Sequence, residues 1–212
     1  MKKGERVLRE ILYRFHERNE RFMSQKALAE ACGLSLGTVN PIVRRLEQLG
    51  AIEKKPLGFR VSDVTRILLY WASKRNLAKD IVYSASTPLS AANIEKGLPR
   101  GSVLTAYSGF NARFGEVPID YQEVYVYADP AELKRRFPHA RGRLNNLIVL
   151  KPDGHLIRLS EGGIAPLAQI YVDLWQLGDP AKKLVDELGA RMRAGEIGAL
   201  QGIIKRTRER PG

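Results

Sequence analysis

Two short helices, each with its own start and stop signal, follow one another between residues 24 and 50. Ser24 is an N-cap residue before QKALAEAC, and Gly33 can take the left-handed conformation that ends a helix. Ser35 then opens LGTVNPIVRRLEQLG. Its apolar stripe has helical spacing and consists of Val39, Ile42, Val43, Leu46 and Leu49. Two helices joined by so short a Gly-containing turn predict a helix-turn-helix motif.

The flanking segments complete a small domain. Residues from about 4 to 19 form an amphipathic helix, with an apolar face that consists of Val7, Leu8, Ile11, Leu12 and Phe15. The charged side chains lie on its other face and are Arg6, Arg9, Glu10, Arg14 and Glu17. After the third helix, AIEKK, PLG and FRVS predict two short strands around a tight turn. Three helices and a hairpin predict a winged helix, and Asp63 caps a connecting helix that runs to about residue 76.

The segment 34–53, LSLGTVNPIVRRLEQLGAIE, resembles the winged helix-turn-helix transcription regulators in spacing and residue type. In that motif the third helix enters the major groove of double-stranded DNA. The resemblance implies base-edge contacts from Thr38 and Asn40, and a guanine or phosphate contact from Arg44. The other candidate DNA-binding residues are Ser35 at the helix start, Arg45, and Lys54, Lys55 and Arg60 at the hairpin. Alternatively, these are polar side chains on a solvated surface, or the winged helix binds protein.

The charge of the chain is concentrated at its ends. Residues 1–79 hold 17 Lys and Arg against 8 Asp and Glu, residues 80–189 hold 12 against 13, and residues 190–212 hold 6 against 2. A basic terminal module most often binds a polyanion such as nucleic acid. The alternative is a highly charged solvated surface.

Cysteine content and hydropathy define the expected environment. Cys32, the single cysteine, cannot form an internal disulfide and is interpreted as small core filler. No stretch approaches the ~18 apolar residues of a membrane span, and the charged N-terminus does not match a signal peptide. We expect a soluble, cytoplasmic protein.

From Ala78 onward the periodicity changes toward two. The β-rich stretches are DIVYSAS, SVLTAYS, YQEVYVYA, NLIVLK and HLIRLS. Asp129 and Pro130 start a short helix, Pro166 opens LAQIYVDLWQLG, and Asp179 with Pro180 opens AKKLVDELGARM. The predicted fold class is α+β, with a winged helix at 1–62, a connecting helix at 63–77, a mixed α/β domain at 78–193 and a basic tail at 194–212.

The second domain resembles the AbiEi-type antitoxin family. The resemblance rests on LLYWASKRNL after the wing, on SVLTAYSGFNARFG before EVYVYAD, and on YVDLWQLGDPAKKLVDEL near the end. It implies a degenerate nucleotidyltransferase-like fold, an autoregulated operon and a cognate toxin protein as partner. A winged helix that binds an inverted repeat also predicts a homodimer.

No catalytic or cofactor-binding pattern is complete. Ser108 and Gly109 are the nearest equivalent of a nucleotidyltransferase phosphate turn, but the strand EVYVYAD has tyrosine and valine where metal-binding carboxylates belong. The three histidines are isolated in sequence, and no nucleotide-binding glycine motif occurs. We therefore expect no enzyme activity, no cofactor and no metal. The leading hypothesis is a sequence-specific DNA-binding transcriptional regulator, a repressor and antitoxin-like autoregulator; the alternative is a protein- or RNA-interaction scaffold without sequence-specific DNA binding.

Overall fold

The N-terminal part is a three-helix unit with a small sheet. A computed structural model describes residues 3–115, 119–140 and 144–194. Its first elements are α1 (Lys3–Glu17), β1 (Phe22–Met23), α2 (Gln25–Cys32), α3 (Leu36–Gln48), β2 (Ile52–Lys55), β3 (Gly58–Val61) and α4 (Val64–Lys74). The three predicted helices, the hairpin and the connecting helix are confirmed in order and in approximate bounds.

The predicted caps position the helix-turn-helix. Ser24 Oγ accepts a hydrogen bond from Ala27 N at 3.1 Å, and Gly33 takes the left-handed conformation at φ 62°. Asp63 caps α4 by accepting from Arg66 N at 3.0 Å. Helix α3 continues through Pro41, which is exposed on its outer face. The local hydrogen bonds of short polar side chains therefore determine where α2 and α4 begin.

The hairpin belongs to a three-stranded antiparallel sheet of order β1-β3-β2. Strand β1 was not predicted, because two residues are too few to show alternation. In the hairpin turn the left-handed position belongs to Leu57, at φ 68°, and not to the glycine that follows it. Gly58 is required for a different reason, since a Cβ there would lie 2.4 Å from the carbonyl oxygen of Met23 in β1.

We expect Gly58→Ala to lower the free energy of unfolding by about 1 to 3 kcal/mol, because β1 would be pushed away from the hairpin. Chemical denaturation followed by circular dichroism measures this change. Gly37→Ala is the matched control: its Cβ meets only Ser35 Oγ at 3.7 Å, so the substitution should stabilise α3 by up to about 1 kcal/mol. Equal effects of the two substitutions would contradict the role of the β1 contact.

The second region, residues 77–194 as described, is built on a four-stranded mixed sheet. Its elements are β4 (Ile81–Ala85), α5 (Ala91–Lys96), β5 (Val103–Thr105), α6 (Ala106–Phe114), β6 (Val124–Tyr127), α7 (Pro130–Arg136), β7 (Leu147–Leu150), α8 (Gly154–Leu159), α9 (Leu167–Trp175) and 182–194, called α10. The sheet order is β4-β7-β6-β5. Strands β6 and β7 are parallel, and the other pairs are antiparallel. The observed architecture is mixed α+β, as predicted.

Two of the predicted strands were wrong in whole or in part. HLIRLS forms α8, because Asp153 caps it by accepting from His155 N and Leu156 N at 3.0 Å each. SVLTAYS supplies only three strand residues before α6 begins, and Ala106 takes φ 49° at that junction. Short apolar runs do not distinguish a strand from one buried turn of helix. Helix α5, which begins after Ser90, was not predicted.

Helix α1 is covered on two sides. It packs against α2, α3 and α4, and also against α8 and α9 of the second region. The expectation that its charged face lies in solvent was therefore wrong for Arg9, which is 0% exposed, and for Glu10, which is 4% exposed. The hydrophobic core is continuous from α1 into the second region. The predicted basic tail lies outside the described residues from position 195 onward.

Candidate nucleic-acid interface

One face of α3 is buried and the other is open. Val39, Val43 and Leu46 are fully buried against the core, as the apolar stripe predicted. The opposite face forms a shallow depression lined by Gly37, Asn40, Pro41, Arg44, Arg45 and Gln48. Three of the candidate DNA-binding residues, Asn40, Arg44 and Arg45, therefore lie together. Arg44 makes no hydrogen bond or ion pair within the described residues, whereas Arg45 donates to Gln48 Oε1 at 3.4 Å.

The start of α3 is arranged differently from a standard N-cap. Ser35 Oγ lies 3.2 Å from Thr38 Oγ1, and the Ser35 side chain accepts no backbone hydrogen bond. The first N–H groups of a helix lack intrahelical acceptors and carry partial positive charge. Ser35 thus lies where a phosphate can bind. Thr38 is half-buried, with its hydroxyl within hydrogen-bonding distance of Ser35.

A second depression lies between α3 and the hairpin. Its lining includes Asn40, Lys54 and Lys55, together with the exposed Leu57 at the hairpin tip. Lys26 of α2 also lines it and was not predicted from the sequence. It stands two residues after the cap of α2, a position that the helix-turn-helix arrangement brings beside α3. We call the set Lys26, Asn40, Arg44, Arg45, Lys54 and Lys55 the reading face.

The hairpin lysines are paired with acids at the surface. Lys54 Nζ lies 3.0 Å from Glu47 Oε2, and Lys55 Nζ lies 2.5 Å from Glu53 Oε1. Such exposed pairs contribute little to stability, so the lysines can exchange these partners for phosphates. Arg60 is exposed opposite Glu53 in the strand register, and it lines neither depression. Because side chains alternate along a strand, Arg60 lies on the same face of the hairpin as Glu53 and Lys55.

A comparison with known families agrees with this arrangement of α2, the turn and the open basic helix α3. Residues 6–53 match the winged helix-turn-helix DNA-binding family. We refer to residues 3–61 as the winged helix. No curated protein matches the chain, and neither does any solved structure. The family match ends before β3 and the second region.

The second region shows neither a metal site nor a membrane span in its described part. Across residues 3–115, 119–140 and 144–194, no three His, Cys, Asp or Glu side chains converge as metal ligands would. No helix in these ranges is long and apolar enough to cross a bilayer. Ser108 and Gly109 lie in the first turn of α6, and Asp129 caps α7 by accepting from Ala131 N at 2.9 Å.

A buried polar cluster links the winged helix to α8. The Arg9 guanidinium donates to Asp153 Oδ2 from Nη2 at 3.1 Å and to Gln169 Oε1 from Nε at 2.9 Å. Burial raises the pKa of Asp153, but the positive charge and hydrogen bonds of Arg9 outweigh burial and lower it to about 2. Asp153 therefore stays ionised at neutral pH and holds Arg9 in place.

His155 completes this cluster in a single tautomer. Its Nδ1 lies 3.0 Å from Arg9 Nη1, and its Nε2 lies 2.8 Å from Glu10 Oε2. Arginine can only donate, so Nδ1 must be the acceptor and the ring proton must reside on Nε2, facing the carboxylate. Cys32 Sγ lies 3.9 Å from the same nitrogen, and burial raises the pKa of this thiol to about 12. The cysteine is thus inert core filler, as predicted.

A second buried cluster links α4 to α9 and the sheet. Asp173, 0% exposed, accepts from Arg75 Nε at 2.9 Å and from Gln169 Nε2 at 3.0 Å through Oδ1. Its Oδ2 accepts from Thr105 Oγ1 and Tyr127 OH, both at 2.7 Å. Gln169 belongs to both clusters, so one hydrogen-bonded network runs from α1 to the sheet.

This network attaches the winged helix to the second region. Sequence reasoning missed it because its members are far apart in the chain. One signal was available: in α1, apolar residues surround Arg9 and Glu10 on both sides in sequence, with Leu8, Ile11 and Leu12 all buried. A stripe that wide leaves little of the helix for solvent.

We expect Asp153→Asn to lower the free energy of unfolding at pH 7 by about 2 to 4 kcal/mol, because it leaves Arg9 with one charge partner fewer. The folded-state pKa of Asp153 is depressed, so its stabilisation is present above pH 4 and is lost as pH falls toward 2. The difference between wild type and variant should shrink over that interval. Urea denaturation at several pH values measures it.

The control for this substitution is Asp186→Asn, at an exposed carboxylate that pairs with Lys182 at the surface. It should change the free energy of unfolding by no more than about 0.5 kcal/mol. A difference between wild type and Asp153→Asn that stayed constant down to pH 2 would contradict the assigned charge interaction.

Proposed function

We propose that the protein is a sequence-specific double-stranded DNA-binding transcriptional regulator that acts as a repressor. The observation that carries this proposal is the reading face, where Asn40, Arg44 and Arg45 share one open helix surface beside two hairpin lysines. The match of residues 6–53 to a winged helix-turn-helix DNA-binding family supports it. The charge of residues 1–79 is of the sign that a phosphate backbone attracts.

The proposed mechanism places α3 in the major groove. The side-chain amide of Asn40 can form two hydrogen bonds with adenine N6 and N7. The guanidinium group of Arg44 can donate two hydrogen bonds to guanine O6 and N7. Thr38, half-buried beside Ser35, reaches a base edge only at the start of the helix. Arg45, Lys26 and the hairpin lysines hold phosphates, which position the helix without reading sequence.

The second region is proposed as an interaction module without enzyme activity. The family resemblance of YVDLWQLGDPAKKLVDEL and SVLTAYSGFNARFG supports an AbiEi-type antitoxin-like role, with a degenerate nucleotidyltransferase-like fold, autoregulation and a cognate toxin as partner. We further propose that the protein acts in the cytoplasm as a homodimer on an inverted repeat. Because α1 packs against α8 and α9, we expect the winged helix and the second region to move as one unit.

Selection of bound sequences from a random duplex-DNA pool tests the function. The full chain should recover an inverted repeat at near-physiological salt. Arg44→Ala should then weaken binding to that site by about 1 to 3 kcal/mol and relax the preference at one position of each half-site. Arg100→Ala, at an exposed arginine outside the reading face, is the control and should leave binding unchanged.

A protein- or RNA-binding scaffold would give a different result. Its affinity for duplex DNA would be weak, independent of sequence and lost at about 0.2 M salt, and no motif would emerge. In that case Arg44→Ala would do no more than Arg100→Ala. Recovery of no motif would overturn the proposed regulator.

Lys26→Ala tests the phosphate contact that we propose for Lys26, the residue of the reading face that the sequence did not predict. A phosphate contact carries no sequence information, so the substitution should weaken binding to all sequences alike. It should also reduce the slope of log affinity against log salt by about 1. Lys96→Ala, at an exposed lysine of α5, should leave that slope unchanged. An unchanged slope for Lys26→Ala would remove this residue from the interface.

A further inference from the structure

A cleft in the second region lies between α6, the segment before β6 and the turn after α9. Its volume is about 580 Å³, within the range of small-ligand sites. Three tyrosines and two carboxylates dominate the lining. The residues that matter here are Tyr107, Asp120, Tyr121, Glu123, Tyr125 and Gln176. None of them belongs to the reading face or to the buried network.

The cleft is acidic in a chain whose formal net charge is +12. Within the described residues, neither Asp120 nor Glu123 forms an ion pair with a basic side chain. Asp120 Oδ2 accepts only a long contact from Gln122 Nε2 at 3.5 Å, and Glu123 Oε2 accepts from Tyr125 OH at 3.1 Å. Both carboxylates therefore keep unused acceptor capacity toward the cleft.

The tyrosine rings form a connected aromatic wall. The Tyr107 and Tyr121 rings are stacked with centroids 5.7 Å apart, and the Tyr125 ring is tilted 6.2 Å from Tyr107. The hydroxyl of Tyr121 is already engaged, donating to Glu95 Oε1 at 2.8 Å. Burial, and then the negative charge of Glu123, raise the pKa of Tyr125, so the wall stays neutral.

Tyr107 supplies an independent observation. Its side chain is 4% exposed and lines the cleft, but it makes no hydrogen bond within the described part of the chain. The unpaired hydroxyl of this largely buried residue can accept a hydrogen bond from a ligand in the cleft.

We propose that this tyrosine cleft binds a small organic cation that carries an ammonium or guanidinium group. Aromatic rings attract cations through the negative charge of their faces, and neighbouring carboxylates strengthen that attraction. The N–H donors of such a ligand pair with the free acceptors of Asp120, Glu123 and Tyr107. An anionic ligand would instead face two carboxylates without a compensating cation.

Amide NMR of the full chain, titrated at constant ionic strength, tests the proposal. Agmatine is the probe that carries N–H donors. Tetramethylammonium, which has none, tests the attraction of positive charge to the rings and carboxylates alone, and neopentyl alcohol is its uncharged analogue in shape. Both cations should give saturable shifts that cluster on α6, β6 and the turn after α9, whereas the alcohol should give none. No saturation with either cation, or equal shifts with the alcohol, would overturn the proposal.

Variants make the test specific. Glu123→Gln keeps the acceptor for Tyr125 but removes the charge, and it should weaken agmatine binding roughly three- to tenfold. Tyr107→Leu should weaken agmatine binding to a similar extent. If that variant does not fold, the agmatine affinity of the double variant Glu123→Gln with Asp120→Asn tests the proposal by itself. Glu132→Gln, at a carboxylate of α7 outside the cleft, is the matched control. Equal affinities of Glu123→Gln and Glu132→Gln would overturn the site.

A capped Gly-Arg-Gly tripeptide separates the two sources of this chemistry. If agmatine binds more tightly than the tripeptide, the ligand is a free small cation, as proposed. Tighter binding of the tripeptide would overturn the proposal of a free small cation and would indicate that the cleft binds an arginine side chain of a protein.

Discussion

The buried ion pair between Arg75 and Asp173 is the interaction on which the arrangement of the two regions depends. Taking these charges out of water is costly, and the cost is offset only when every polar atom finds a partner. Asp173 meets that condition with four short hydrogen bonds, from Arg75 directly after α4 and from β5, β6 and α9. Arg75 also donates to Glu5 of α1 and to Asp80. Elements distant in sequence are thereby held in one geometry.

The network also fixes α1 of the winged helix against the second region. Helix α1 directs Arg9 and Glu10 inward, where Asp153 and His155 pair with them. Its C-terminal end also contributes, because Glu17 accepts from Leu167 N at 2.8 Å and so caps α9. The winged helix is therefore attached to the second region at the middle and at the C-terminal end of α1, while the outer side of α3 remains open.

The protein thus presents two surfaces of opposite sign. The reading face concentrates lysine and arginine on α2, α3 and the hairpin. The tyrosine cleft holds two carboxylates in the segment before β6. The separation follows from the sequence, because the excess of basic residues lies in positions 1–79 and the middle is nearly neutral. One surface suits a polyanion, and the other suits a small cation.

The sequence by itself determined the local structure of the winged helix. The helix caps Ser24, Gly33 and Asp63 act through hydrogen bonds to neighbours within a few residues. The apolar stripe of α3, which includes Val39, Val43 and Leu46, follows the helical period. The sequence also predicted that Asn40, Arg44 and Arg45 share a face. Only the tertiary structure decided that Lys26 joins them and that Arg9 is buried. It also decided that the tyrosines converge on one cleft. Contacts between residues more than a hundred positions apart leave no periodic trace in a single sequence, so they become visible only when the chain is folded.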